Sequence, residues 1–201
     1  MKNDVILVGG FHEIIELCGM CDYNIKGIID NKLTGTYYGI PIIGRDDDAS
    51  YLFNKYKECK IVVTPDSPSI REKLVTLYSS IGFKFTSIIS PLAQISKYAK
   101  IGIGTIVQSG VNISAATKIG DFCKLNSNSN VMHDNVIGNY TTIAPNAVLL
   151  GNVNTGVKTY IGANSTILPN IHIDDEAIIG AGAVVTHNID MAKTVKGVPA
   201  K

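Results

Sequence analysis

From Ile89 to Val185 the apolar positions of the chain recur every six residues. Ile89, Ile95, Ile101 and Val107 open the series, Ile167, Ile173, Ile179 and Val185 close it, and only Thr155 is not a branched aliphatic. The residue four places after each is nearly always small or β-branched, as at Ala99, Thr105, Val111, Thr117, Cys123 and Ser129. Glycine often follows the aliphatic directly, as at Gly102, Gly120, Gly138, Gly162 and Gly180. A helix repeats at 3.6 residues and a half-buried strand at two, so neither selects every sixth position. A period of six predicts a parallel β-helix, each hexapeptide making one short flat side and a turn. The aliphatics then stack as an internal ladder that no single repeat could bury alone.

Ahead of the repeat the pattern changes to strands alternating with helices. Val5 to Val8 reads as a short buried strand, followed by Gly9-Gly10 and a helical spacing through Ile14, Ile15, Leu17 and Cys18. A second strand spans Ile25 to Ile29 and ends at Asp30. Tyr38 to Gly44 reads as an irregular or edge segment, because Pro41 cannot donate to a ladder. Asp46 to Tyr56 reads as helical, with acids in the first turn, and Lys60 to Val63 as a third strand. Ser69 is the expected cap of a helix running through Ile70, Leu74 and Leu77. Phe83 to Ile88 leads into the first coil. This order predicts a small parallel α/β domain. Ligands of such sheets gather at the carboxyl ends of the strands, here Gly10-Phe11-His12, Asp30-Asn31 and Thr64-Pro65-Asp66. The G-x-G-x-x-G fingerprint of dinucleotide binding is not complete.

Composition narrows the function classes. With 201 residues, 45% of them hydrophobic, and a net charge of +1, the chain can bury one or two cores and offers no electrostatic footprint for nucleic acid. No apolar run approaches the ~20 residues of a membrane helix, and charges soon follow Val5 to Val8, so that run is not a signal-peptide core. A cytoplasmic protein is expected. Cys18 and Cys21 form a C-x-x-C, but no second ligand pair accompanies them, and two small residues near a helix end account for them.

The chemistry must lie outside the filled prism. His133-Asp134 follows inward Val131, so the imidazole points to solvent or to another subunit, with a carboxylate beside it. That is what a general base and its orienting partner require. His172 and His187 read as solvated surface residues without such a setting. Eighteen residues on, three repeats later, stands Gly151, whose backbone a ligand can approach closely. Pro145, Ala163 and Ala181 are small residues at the same eighteen-residue spacing. Cys123 fits an inward position and is not a nucleophile. No metal is required.

A hexapeptide repeat of this kind resembles the left-handed β-helix acyltransferases, in which three hexapeptides make one triangular coil. Joined directly to an N-terminal Rossmann-like domain, it resembles the bacterial sugar acetyltransferases of the PglD and NeuD type. The likeness extends over essentially the whole chain, including the run Ile178 to Val185 and the closing Gly197-Val198-Pro199-Ala200-Lys201. It implies residues 1–86 as a nucleotide-sugar-binding domain and 87–201 as a left-handed parallel β-helix of between five and six coils. By resemblance Gly10, Phe11 and His12 are the nucleotide loop, Asp30 and Asn31 the second-strand contacts, and Ala163 and Ala181 contacts of CoA. In an eighteen-residue coil Gly151 stands in the column of His133, its N–H within reach of a thioester oxygen, where it would stabilise the oxyanion. A pantetheine arm would then run past Pro145, Ala163 and Ala181. Phe11 stands where relatives usually carry glycine, and Thr142 where PglD-type relatives carry a second histidine against acetyl-CoA.

The function implied is acetyl-CoA-dependent N-acetylation of a UDP- or dTDP-linked 4-amino-deoxysugar for bacterial surface glycans. O-acetylation of a sialic acid-like sugar is the neighbouring alternative. A non-catalytic scaffold or nucleotide-sugar sensor is the alternative of another class, and His133-Asp134 argues against it. A homotrimer is expected from the resemblance and because an outward histidine needs a second wall to form a cleft.

Overall fold

The computed structural model describes residues 3–201. The first part is a five-stranded sheet of β1 (Asn3–Val8), β2 (Tyr23–Ile29), β3 (Thr36–Tyr37), β4 (Ile40–Gly44) and β5 (Lys60–Val63). Their order is β3-β4-β2-β1-β5, parallel except where β3 runs antiparallel to β4. Helices α1 (His12–Met20), α2 (Ala49–Lys55) and α3 (Pro68–Ile81) complete it. β1 is apolar throughout its second half because it is central. Val5 and Leu7 pack with Ile14 and Leu17 of α1, while Ile6 and Val8 pack with Leu52 and Tyr78 of α2 and α3. The segment marked by Pro41 is a strand one place from the sheet edge, irregular in that its register against β2 shifts between Ile42 and Gly44, with Pro41 set opposite Thr36 of β3.

α3 differs from expectation in its start and in its buried face. Ser67, not Ser69, is the cap: its hydroxyl accepts from the Ile70 N–H at 3.5 Å, and Pro68 occupies the first helical position. The buried stripe is Arg71, Val75 and Tyr78, whereas Ile70 and Leu77 are exposed. An arginine headed the inward face, and an apolar count could not select it.

The chain then winds through two-residue strands that form three parallel sheets of seven, six and five strands. Face one begins at Ile88–Ile89, face two at Gln94–Ile95 and face three at Lys100–Ile101. Strands pair with those one coil on, as Val131 pairs with Leu149. This is the arrangement of a left-handed parallel β-helix, and the inward ladder from Val107 to Val185 is buried as the period requires. Ile89 is 38% exposed because it lies in the first coil, at the open end of the prism. The corners are turned by residues with positive φ, again six apart: Phe122, Asn128, Asp134, Tyr140, Asn146 and Asn152 among them. Asn and Asp tolerate that conformation better than most side chains.

The α/β unit docks on face one. The outward side chains there, Ile88, Ile106, Lys124 and Thr142, are all fully buried, while Ile178 further along is 44% exposed. No helix among the described residues is long and apolar enough to cross a membrane.

Candidate active site

Two places carry chemistry, and they lie on opposite sides of the prism. The first is the edge between faces two and three. His133 and Asp134 form the turn between the strands Asn130–Val131 and Val136–Ile137. Both are well exposed, and His133 Nδ1 lies 2.8 Å from Asp134 Oδ2. The carboxylate is aimed by the turn itself, since Asp134 has φ 61°. The ring of His133 lies over the α-carbon of Gly151: a Cβ there would meet Cε1 at 2.6 Å and Nε2 at 2.8 Å. Only glycine leaves room for the imidazole. The Gly151 N–H donates to no acceptor among the described residues, so it is free for a ligand oxygen.

Buried beneath this turn is Asn135, which the sequence reading did not single out. Its Oδ1 accepts from the Val153 N–H at 2.5 Å and its Nδ2 donates to the Leu149 carbonyl at 3.4 Å. It thereby ties the His133 turn to the Gly151 turn one coil on. The signal was an amide at a position where the repeat elsewhere prefers small or β-branched residues.

His172 also differs from expectation. Its Nε2 lies 2.8 Å from Asp174 Oδ1, so a second exposed imidazole has a carboxylate partner. Residues i and i+2 of a strand share a face, and the sequence carried that signal. His172 sits on the flat of face three, without the adjoining glycine that marks His133. Cys123 is fully buried, and burial pushes its thiol up to about 12.

The second place is a cavity of about 300 Å³ at the carboxyl ends of β1, β2 and β5. Gly10, Phe11, Asp30 and Asn31 line it, together with Asp46 and, from α3, Ile70 and Leu74. Exposed Ile70 and half-buried Leu74 are thus a cavity wall, while Leu77 lies outside it. A Cβ at Gly10 would meet Leu33 Cδ1 at 2.2 Å, so a larger residue there would displace the Leu33 side chain. Its N–H donates to Asp30 Oδ2 at 2.9 Å, while Lys32 and Leu33 N–H donate to Oδ1 at 2.8 and 3.0 Å. Asp46, unremarked in the sequence beyond its helix-turn acidity, accepts from Asn31 Nδ2 at 2.7 Å and from the Tyr78 hydroxyl at 2.7 Å.

Partial burial raises the Asp30 carboxyl, but the three N–H donors and the Lys32 charge outweigh it and hold it below the usual carboxylate range. A carboxyl so lowered stabilises the fold above its unfolded pKa and loses that contribution as pH falls through its folded value. Asp30→Asn is expected to lower the melting temperature at neutral pH, with the gap to wild type closing on acidification. Melts across pH check this, and a gap that stays constant into acid would refute the charge dependence.

Other expected contacts sit elsewhere. Thr64 is fully buried, its hydroxyl shared between the Val8 and Gly9 carbonyls, so it braces the cavity floor and cannot touch a ligand. Thr142 is likewise fully buried, donating to the Asp66 carbonyl at 2.6 Å and accepting from Arg71 Nη2 at 3.0 Å. Docking of the α/β unit removes it from any cofactor path. His12 does not line the cavity; its ring stacks on Tyr38 with centroids 5.5 Å apart. Asp66 pairs with Lys124 at 2.9 Å. Ala163 and Ala181 lie along the edge between faces one and two, half-buried and exposed respectively, and separated from His133 and Gly151 by face two.

Solved structures match essentially the whole chain, and a family model matches part of the β-helix. The bacterial transferase hexapeptide family (six repeats) matches residues 116–151 and 153–187. WeeI from Acinetobacter baumannii AYE is 30% identical with a TM-score of 0.87, over 98% of this chain and 99% of that one. PerB from Caulobacter crescentus, solved in complex with CoA and GDP-perosamine, is 28% identical with a TM-score of 0.93, over 98% and 96% of the two chains. The acetyltransferase domain of PglB from Neisseria gonorrhoeae FA1090, solved with acetyl coenzyme A, is 27% identical with a TM-score of 0.92, over 100% and 99%. No curated protein matches the sequence.

Proposed function

The chain belongs to the sugar N-acetyltransferases of the left-handed β-helix, hexapeptide-repeat superfamily, and from that premise we propose that it acetylates the amino group of a nucleotide-linked 4-amino-deoxysugar. It is an acyltransferase with acetyl-CoA as co-substrate. The observation that carries the reading of the site is the His133–Asp134 pair, 2.8 Å apart, with its ring seated on Gly151. The sugar amine attacks the thioester carbonyl, and His133 takes the proton that the nitrogen sheds. The Gly151 N–H stabilises the oxyanion, which collapses to the amide as CoA thiolate leaves and recovers the proton from His133. Asp134 holds the imidazole in orientation. The pantetheine passes Gly151, with Ala163 and Ala181 offering the small surfaces it needs on a neighbouring edge.

Residues 1–86 hold the nucleotide in this reading, and 87–201 carry the transfer. The cavity built by Gly10, Phe11, Asp30 and Asn31 takes the nucleotide. GDP stands beside UDP and dTDP as the carrier, given PerB's complex. Incubating the protein with acetyl-CoA and a panel of GDP-, UDP- and dTDP-linked amino sugars and their hydroxyl counterparts, and following CoA release, tests the reading. Release with none of them, or with hydroxyl sugars only, would overturn it.

One chain is not enough for this reaction. The cavity lies over face one, and His133 lies on the edge opposite that face. A side of six residues spans at most about 20 Å, and the filled prism stands between. A sugar held by one chain therefore meets His133 of another, which favours the homotrimer. Light scattering is expected to give three chains per particle, and a fully active monomer would refute the arrangement.

A further inference from the structure

Lys124 is an anomaly of the repeat. It occupies an outward position on face one, between Ile106 one coil before and Thr142 one coil after, and is fully buried. Lysine is almost never fully buried unless paired, because the ammonium loses its hydration. An aliphatic like Ile106 would serve the docking contact at lower cost. What Lys124 does instead is reach both loops at the rim of the nucleotide cavity. Its Nζ lies 2.9 Å from the Thr64 carbonyl and 2.9 Å from Asp66 Oδ1, both after β5, and 4.4 Å from the centre of the Phe11 ring, after β1. Phe11 is the residue before α1, makes no side-chain cap, and packs in part against the apolar cluster that holds Ile14 and Leu17. Its ring covers the ammonium on one side and lines the cavity. Pro65, between the two residues Lys124 holds, lines the cavity too.

We infer that Lys124, supplied by the β-helix, is a positioning residue for the nucleotide half of the substrate, clamping the Phe11 and Thr64–Asp66 loops into one rim through a carbonyl, a carboxylate and an aromatic face. It touches no reacting atom. This rests on the reading of the cavity as a nucleotide site. It also accounts for phenylalanine at position 11: the ring is the apolar and quadrupolar partner of a buried cation. Nucleotide affinity in this chain then depends on a side chain of the acetyltransferase part.

The test is titration of the whole protein with GDP, UDP and dTDP, and separately with acetyl-CoA, for wild type and Lys124→Met. The variant is expected to weaken the nucleoside diphosphate that wild type binds by about tenfold or more, through lost preorganisation of the rim, and to leave acetyl-CoA affinity within about twofold. Wild type binding none of the three overturns the nucleotide reading and this inference with it. Wild-type nucleotide affinity in Lys124→Met, or equal weakening toward nucleotide and acetyl-CoA, overturns the inference alone. Should Lys124→Met fail to fold, Asp66→Asn/Lys124→Met compared with Asp66→Asn decides by the same readings, since removing both charges leaves neither unpaired.

Discussion

His133→Ala lowers kcat by about 10²–10⁴, the range for loss of a positioned proton acceptor, while the melting temperature stays near wild type. The side chain is exposed and the inward ladder is untouched, so folding does not depend on it. Gly151→Ala reaches the same imidazole from the other side. Its new methyl would lie 2.6 Å from Cε1, so the ring must leave its seat, and kcat falls although both His133 and Asp134 remain. His172→Ala is the control, because it removes the other imidazole–carboxylate pair and is expected to leave kcat unchanged. Steady-state rates with saturating amino sugar and acetyl-CoA separate these cases. Near-normal kcat in His133→Ala would remove the base from the mechanism, and a large loss in His172→Ala would move it to face three.

Arg71→Leu is expected to destabilise the protein by about 3–5 kcal/mol, as when one partner of a buried polar network is removed. The guanidinium is 1% exposed and donates from all three nitrogens. Nε reaches the Phe122 carbonyl at 2.7 Å, Nη1 the Pro65 carbonyl at 2.7 Å, and Nη2 the Tyr140 carbonyl at 2.6 Å and Thr142 Oγ1 at 3.0 Å. Burial brings its pKa down to about 10, which still leaves it charged at neutral pH. Its acceptors belong to both parts of the chain, so their loss should undock the α/β unit from face one before the β-helix melts. Arg71→Lys should not restore stability, because a single ammonium cannot span that fork. Denaturation followed by limited proteolysis reads this out as early cleavage within the first 86 residues. One cooperative transition at the wild-type midpoint would show that the rivet is dispensable.

The β-helix was legible residue by residue because its rule is local. Every sixth side chain must face the same axis, and each coil is buried by the coil beside it, so the period alone determines the ladder, the parallel register and the outward direction of His133. Asp134 followed by adjacency, and Gly151 by a step of one coil, whose eighteen-residue length the family resemblance implied. The strands and helices of the first part were legible for the same reason, as runs and spacings within a few residues. What the sequence could not determine was which polar residues the two parts would bury against each other. Thr64 and Thr142 looked available, and nothing in the pattern marked Arg71 or Lys124 for burial. Docking on face one reverses all of these, because burial there is decided by residues about 50 to 75 positions apart, such as Arg71 with Phe122 and Asp66 with Thr142. No local period encodes such a meeting, and only the tertiary structure brings the donors of one part to the carbonyls of the other.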